Sequence, residues 1–206
     1  MNVKLVAHTP NPEETIEKAA RICYDSKTGD EEKRTKFLKG LVKSGHTSTI
    51  EHASATFEIS EVSRALTHEL VRHRLFSFSQ LSQRYCSEDG FGAVIPESLK
   101  KAGYEIEFKA LMKEIEEVYN DMVADGVPKE DARYILPNAC YTKIVVSGNF
   151  REWHHFLKLR LSPRAQWEIR QLACRIYEKL VELAPAIFCD LQPDYDANQI
   201  QNGNIV

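Results

Sequence analysis

The sequence predicts an α+β fold, a single domain over residues 1–206 in which a mixed or antiparallel sheet is flanked by long helices. Three observations predict it. Two short stretches, Asn2–Thr9 and Ala53–Ser60, alternate apolar and polar residues with the period of a strand, and Cys140–Ser147 is rich in Ile and Val. Long segments elsewhere carry apolar residues every three or four positions, as a helix with one buried face requires. No repeat, linker or low-complexity run divides the chain.

The elements follow in order. Asn2–Thr9, with Val3, Leu5 and Ala7 on one side, reads as a strand ended by Pro10 and Pro12. Asn11-Pro12-Glu13-Glu14 starts a helix, with Asn11 as N-cap, proline at the first position and acids in the first turn, and it runs to about Tyr24. Asp25 to Asp30 is a turn, and Lys33–Lys43 a second helix stopped by Ser44-Gly45. Gly45–His52 reads as a polar loop, and Ala53–Ser60 as the next strand. Val62–Arg74 reads as a helix with Val62, Leu66 and Leu70 on one stripe, and Glu69, Arg72 and His73 on a neighbouring face.

Glu88 to Gly92 is a loop, and Gly103–Ala124 is the clearest amphipathic helix, with Phe108, Leu111, Met112, Ile115, Val118, Tyr119 and Met122 along one side. Nothing chemical lies on that helix, which reads as a packing or subunit-interface element. Lys129–Leu136 is a short helix presenting Arg133, and Cys140–Ser147 a strand. Asn149 is an N-cap, with Glu152 completing a capping-box pair, for a helix that Ser162-Pro163 breaks. Arg164 or Ala165 to Leu183 is the last long helix, closed by Pro185, and the tail after Asp196 is expected to fray.

Composition narrows the function. A net charge of −3 and a pI of about 6.2 argue against a general nucleic-acid or anionic-membrane binder. No apolar run approaches the roughly 20 residues of a membrane span, and the N-terminus lacks a signal-peptide build, so a cytoplasmic location is expected. The five cysteines are irregularly spaced and the histidines show no metal-ligand spacing, so neither a disulfide framework nor a metal site is expected. Cys86 reads as an inert small hydrophobe more readily than as a nucleophile.

Chemistry concentrates in Arg72 to Tyr85, where three arginines, a histidine, three serines and two glutamines stand without an acid. Guanidinium groups offer paired planar donors to phosphate, and the serines and glutamines add short-range donors and acceptors. Leu75, Phe76, Phe78, Leu81 and Tyr85 interleave with them, which predicts a half-buried anion site. A Rossmann or P-loop glycine pattern is absent, so a bound dinucleotide needs scattered side chains instead.

Arg72-His73-Arg74, followed at seven residues' spacing by Ser82, resembles the signature of the flavin-dependent thymidylate synthases. The likeness extends to Ser82-Gln83-Arg84-Tyr85, to Gly45-His46 through Glu51-His52, to Ala132-Arg133, Leu136-Pro137, Asn149, Arg151, His155 to Arg160, and Ala165 to Ile169. The resemblance implies an α+β domain assembled as a homotetramer, with FAD and dUMP bound between subunits. It implies reductive methylation of dUMP to dTMP, with methylenetetrahydrofolate as one-carbon donor and NADPH reducing FAD. Carried over residue by residue, it places Ser48, Glu51, Arg72, His73, Arg74, Gln80, Asn149, Arg151 and His155 around FAD. Glu69, Arg72, Gln80, Leu81, Ser82, Gln83, Arg84 and Arg133 then surround dUMP, Arg160 faces the uracil, and His46 orders folate and flavin. Ser82 invites a nucleophile reading, but arginines cannot take its proton, which favours phosphate binding or ring positioning. A nucleic-acid module and a flavin-free nucleotide hydrolase are the rival classes; neither the acidic pI nor the lack of clustered carboxylates suits them.

Overall fold

The computed structural model describes residues 1–23, 25–86 and 90–193, and the backbone of 200–201 and 204–205. Strands are β1 (Asn2–His8), β2 (Ser54–Ser63), β3 (Ser77–Gln80) and β4 (Tyr141–Asn149), in the sheet order β1-β2-β4-β3. Around this α+β framework run helices α1 (Pro12–Ile22), α2 (Glu31–Lys43), α3 (Arg64–Leu70), α4 (Glu97–Lys101), α5 (Glu105–Ala124), α6 (Lys129–Ala132), α7 (Phe150–Arg160), α8 (Trp167–Leu183) and α9 (Pro185–Phe188). Two 3-10 segments, Thr47–His52 and Arg133–Ile135, complete the described helical turns. The chain forms two compact units, one of residues 1–2, 59–69 and 79–144, the other of 3–58, 70–78 and 145–206.

The larger unit is built on aromatic packing. Trp153 is fully buried and meets Phe57 edge-on at 5.0 Å between ring centroids and Phe76 at 4.2 Å. Its indole N–H donates to the Ala55 carbonyl at 3.1 Å, so the buried ring leaves no orphan donor. Gly148 makes room for this cluster, because a side-chain carbon there would collide with the Phe76 ring. Ile169, Leu172, Ile176 and Leu180 of α8 are buried as their spacing predicts. A second internal support is Glu17, fully buried, whose carboxylate accepts Arg21 at 2.7 Å, Arg34 at 3.0 Å and the Gly29 N–H at 3.0 Å. Burial raises its pKa, but those three partners outweigh it and hold the carboxyl below its usual range.

In the other unit, Ile59, Val62, Leu66, Tyr119, Ala132 and Ile144 are buried. Ser63 caps α3 by accepting the Leu66 N–H at 3.0 Å. Of the apolar side of α5 only Tyr119 is buried, while Ile106, Leu111 and Val118 are exposed.

Several boundaries depart from the sequence reading. Asn11 adopts φ 44° and makes no side-chain cap, so α1 begins without one. Its end near Tyr24 lies outside the described residues, and the helix is traced to Ile22. α2 starts at Glu31 rather than Lys33, because Asp30 accepts the Lys33 N–H at 2.9 Å and caps it. Gly45, at φ 77°, ends it as expected. The expected polar loop at Gly45–His52 contains a 3-10 turn from Thr47, and β2 continues to Ser63.

Gln166 accepts the Glu168 and Ile169 N–H groups and caps α8, which therefore starts at Trp167; Pro185 opens α9 rather than closing the helical run. The predicted loop residues Glu88 and Asp89 lie outside the described residues. So does most of the tail expected to fray, of which Ile200–Gln201 and Asn204–Ile205 pair as antiparallel strands.

The largest correction concerns Val62–Arg74. Helix α3 spans only Arg64–Leu70, so Glu69, Arg72 and His73 do not share a helical face. After Leu70 the chain makes tight turns, with His73 N–H on the Leu70 carbonyl and Phe76 N–H on the His73 carbonyl, both at 3.1 Å. These turns bury His73 and Phe76 and leave Arg72 and Arg74 exposed. The stretch then continues as β3, a strand to which the sequence reading assigns no element.

Candidate active site

Helix α7 organises the chemistry of the larger unit. Asn149 caps it by accepting the Glu152 N–H at 2.9 Å. The capping box is only half made, because the Glu152 side chain is buried and turned toward His73 instead. Glu152, Phe156 and Arg160 recur every four residues, so they form one stripe along the helix. His73 lies on that stripe: Glu152 Oε1 is 3.7 Å from its Nδ1, the Phe156 ring stands edge-on at 5.1 Å, and Arg160 Nε donates to its Nε2 at 3.1 Å.

This donor pattern fixes the state of the imidazole. A guanidinium only donates, so His73 Nε2 must carry a lone pair and the ring is neutral. Burial, then the positive charges of Arg160 and His155, push its pKa down to about 4. Burial likewise raises the Glu152 carboxyl above its usual range, against the opposing pull of His155 and Arg151. The Glu152 carboxylate is close to His73, yet desolvation, Arg160 and His155 together dominate.

Other expected cofactor residues line the same unit. His46, Ser48 and Glu51 lie in or just before the 3-10 turn, all exposed. Glu51 is ion-paired with Arg151 at the start of α7. Arg151 and Arg160 thus take different partners, as their spacing on the helix predicts. His155 is exposed beside the His73 ring, 6.1 Å between centroids. Arg72 and Arg74 flank the buried His73 from exposed positions.

In the smaller unit, the end of β3 leads into a tight turn. Ser82 Oγ accepts the Arg84 N–H at 3.2 Å, and its carbonyl takes the Cys86 N–H at 3.0 Å. Arg84 is ion-paired with the Glu130 carboxylate, and Arg133 Nε donates to the Glu130 carbonyl at 3.2 Å, so one residue gathers both arginines. Lys129 reaches the Tyr85 carbonyl at 3.4 Å, and the Arg84 guanidinium lies 5.4 Å from the Tyr85 ring. Leu81 is held by its backbone, N–H to the Lys143 carbonyl and carbonyl to Arg64 Nη2, both at 2.8 Å. Gln80 spends its amide nitrogen on the Thr67 and Thr142 hydroxyls, at 3.0 and 3.2 Å. Gln83 and Glu69 are half-buried.

The family model described as thymidylate synthase complementing protein matches residues 4–186. A flavin-dependent thymidylate synthase of Geobacter sulfurreducens is 45% identical over 203 residues, covering 94% of this chain and 88% of that protein. The chain belongs to the flavin-dependent thymidylate synthase family. Relatives of the same name in Clostridium tetani and Pyrococcus furiosus are 39% and 43% identical, covering 99% and 88% of this chain and 90% and 80% of theirs.

Beside the residues of the resemblance, the geometry adds two acids that the sequence reading does not name as candidates, Glu152 next to His73 and Glu130 on Arg84. The sequence reading makes Glu152 only half of a cap, although its four-residue spacing to Phe156 and Arg160 marks the stripe. The sequence reading assigns Glu130 no role, and no local signal ties it to Arg84. All the expected cofactor residues except Gln80 lie in the 3–58, 70–78 and 145–206 unit. Among the expected dUMP residues, Glu69, Gln80, Leu81, Ser82, Gln83, Arg84 and Arg133 lie in the other unit, and Arg72 and Arg160 do not.

Proposed function

We propose that this chain, acting as one domain over residues 1–206, methylates dUMP reductively to dTMP. Methylenetetrahydrofolate gives the one-carbon unit and NADPH the reducing equivalents. The observation that carries this reading is the Arg160 guanidinium fixed on a neutral, buried His73 inside the family's signature. FAD, when bound, supplies the hydride capacity of the reaction.

The donor set suits a flavin dinucleotide. Arg72, Arg74 and Arg151 are exposed guanidinium groups in one unit, and His155 and the Ser48 hydroxyl are exposed in the same unit. Such donors neutralise a pyrophosphate without a glycine turn. Glu51, through its pair with Arg151, His73, through Arg160, and Asn149, through its cap of α7, set the orientation of that surface, and Gln80 completes the set.

For dUMP, Arg84 and Arg133 take the 5′-phosphate, held for it on Glu130. Glu69, Gln80, Leu81 and Gln83 form the rest of the nucleotide surface of that unit, and the family's signature assigns Arg72 to dUMP as well. Ser82 shapes the turn that carries Arg84 and positions the ring. Arg160 stabilises negative charge on the uracil N3/O4 edge, where a fixed cationic donor acts as an oxyanion-hole group does. His46 orders folate and flavin. The exposed apolar side of α5 supports assembly as a homotetramer with active sites shared between subunits. Among the described residues no helix is long and apolar enough to cross a membrane, which agrees with a cytoplasmic enzyme.

The purified protein is expected to be yellow, to contain FAD and to run as a homotetramer. A colourless monomer that stays colourless after incubation with FAD would overturn the reading.

A further inference from the structure

We propose that Glu152 is a positioning residue: it holds His73 in the tautomer protonated at Nδ1, and through His73 it fixes the plane of the Arg160 guanidinium. The proposal rests on the reading that Arg160 faces the uracil.

The argument begins with what an imidazole can do. A neutral histidine carries one N–H and one lone pair, and the two nitrogens exchange these roles only by changing tautomer. Arg160 Nε donates to His73 Nε2 at 3.1 Å, which requires the lone pair at Nε2 and the proton at Nδ1. The alternative tautomer would set two N–H donors against each other, and the guanidinium would have to swing away. The contact is then only as firm as the surroundings of the Nδ1 proton allow. The Glu152 carboxylate oxygen faces Nδ1 at 3.7 Å, with both side chains at about one-twentieth exposure (5% and 6%). In so dry a setting a carboxyl oxygen discriminates between a proton and a lone pair far better than it would in water.

The groups around His73 leave the Nδ1 side of the ring to Glu152. Phe76 and Phe156 pack against the ring at 6.1 and 5.1 Å between centroids and offer no lone pair for Nδ1. His155, on the same helix, stands edge-on at 6.1 Å and adds positive charge, as Arg160 does. Burial, then Arg160 and His155, oppose a second proton on His73, which agrees with its depressed pKa of about 4. Of the groups around the ring, Arg160 selects the Nδ1–H tautomer from the Nε2 side, and the Glu152 oxygen supports it from the Nδ1 side.

The consequence for Arg160 is directional. A guanidinium held at Nε has its plane set, and so the line along which its two terminal amino groups point. Glu152, Phe156 and Arg160 occupy successive turns of one helix, so the acid that supports the tautomer and the arginine that selects it move as one rigid body. Positioning of this kind matters because a misdirected catalytic group loses rate even where its charge is kept.

The test has a spectroscopic and a kinetic arm. In protein labelled with nitrogen-15 histidine, NMR at neutral pH should show His73, assigned by its absence in His73→Gln, as the Nδ1–H tautomer. In Glu152→Gln, whose amide can turn either its oxygen or its nitrogen to the ring, the signal should move to a mixture or to Nε2–H. Glu152→Gln with normal FAD content should lose about tenfold or more in kcat for dTMP, with KM for dUMP within about threefold. In an Arg160→Lys background the same substitution should cost less than about twofold, since it acts through the arginine.

An imidazolium or an Nε2–H tautomer in the wild type, or additive losses in the double variant, would overturn the proposal. The wild-type spectrum decides even where Glu152→Gln fails to fold. Full turnover by Arg160→Lys alone would sink the uracil assignment and leave the tautomer result standing, so the two failures are distinct.

Discussion

His73 makes the folded protein sensitive to acid in a way that can be worked out from its surroundings. Its pKa falls from 6.5 to about 4 on folding, because burial and then Arg160 and His155 disfavour a second proton. A group whose folded pKa is depressed stabilises the protein above its unfolded pKa and loses that contribution as pH falls toward its folded pKa. The window therefore runs from pH 6.5 down to about 4. At about 1.4 kcal/mol per pH unit, its full size is about 3 kcal/mol. Glu152 acts in the opposite sense: its raised pKa lets the folded state take up a proton before the unfolded state does, which stabilises in acid.

His73→Gln isolates the histidine from that background, since an amide can accept from Arg160 and donate toward Glu152 but does not titrate. Urea unfolding of both proteins at one fixed protomer concentration, from pH 7.5 to 4.5, should show the wild type losing about 2–3 kcal/mol relative to the variant. With typical urea slopes that is roughly 1–2 M in the relative midpoint. Parallel curves would refute the depressed pKa. A wild type that gains on the variant in acid would mean that His73 is an imidazolium paired with Glu152.

Two further outcomes follow from the same geometry. Arg84→Ala and Arg133→Ala should each weaken dUMP binding by about 10- to 150-fold, the value of a charge-assisted contact of roughly 1.5–3 kcal/mol, with flavin content normal. Titration with deoxyuridine checks this, because a nucleoside without phosphate should bind wild type and variants alike. Glu17→Ala should remove a buried acid that holds Arg21, Arg34 and Gly29, costing about 3–5 kcal/mol and lowering Tm by roughly 6–20 °C in a thermal melt. A Tm within 2–3 °C of wild type would show that the network contributes little.

Much of this fold was legible because local and tertiary demands agree. α7 has its cap at Asn149 and its apolar residues at helical spacing, and α8 buries Ile169, Leu172, Ile176 and Leu180 as their period requires. The reading failed where tertiary packing overrode a local pattern. The Leu66–Leu70 stripe suggested a helix through Arg74, but the chain leaves the helix at Leu70 for turns that bury His73 and Phe76, and Gly148 leaves space for the Phe76 ring.

β3 was missed because it is four residues long and alternates serine with half-buried Phe78 and Gln80, a weak signal among polar neighbours. The site residues were legible as a set through the signature, whereas their pairings were not. Nothing local in the sequence says that Glu130 gathers Arg84 and Arg133, or that Glu51 takes Arg151.

The choice between Arg160 and Ser82 as the group that activates the uracil can be argued from their partners. Ser82 Oγ accepts the Arg84 N–H at 3.2 Å, a contact that closes a turn and gives the hydroxyl no base. A serine without a base is a poor nucleophile, and the guanidinium of Arg84 cannot take its proton. Arg160 carries a permanent charge, and its Nε bond to His73 orients that charge. Replacing it with lysine keeps the charge but loses the planar pair of donors and the fixed Nε contact.

Arg160→Lys should therefore keep FAD and form dTMP about 100-fold more slowly at saturating dUMP, the scale of one oxyanion-hole donor. Ser82→Ala should lose about tenfold in dUMP affinity, as a turn that carries Arg84 loosens, and keep measurable turnover once dUMP saturates. The assay is dTMP formed per FAD-loaded site with NADPH and methylenetetrahydrofolate in excess. Should Ser82→Ala form no dTMP at saturating dUMP while Arg160→Lys turns over at the wild-type rate, the serine is the activating group and the roles are reversed.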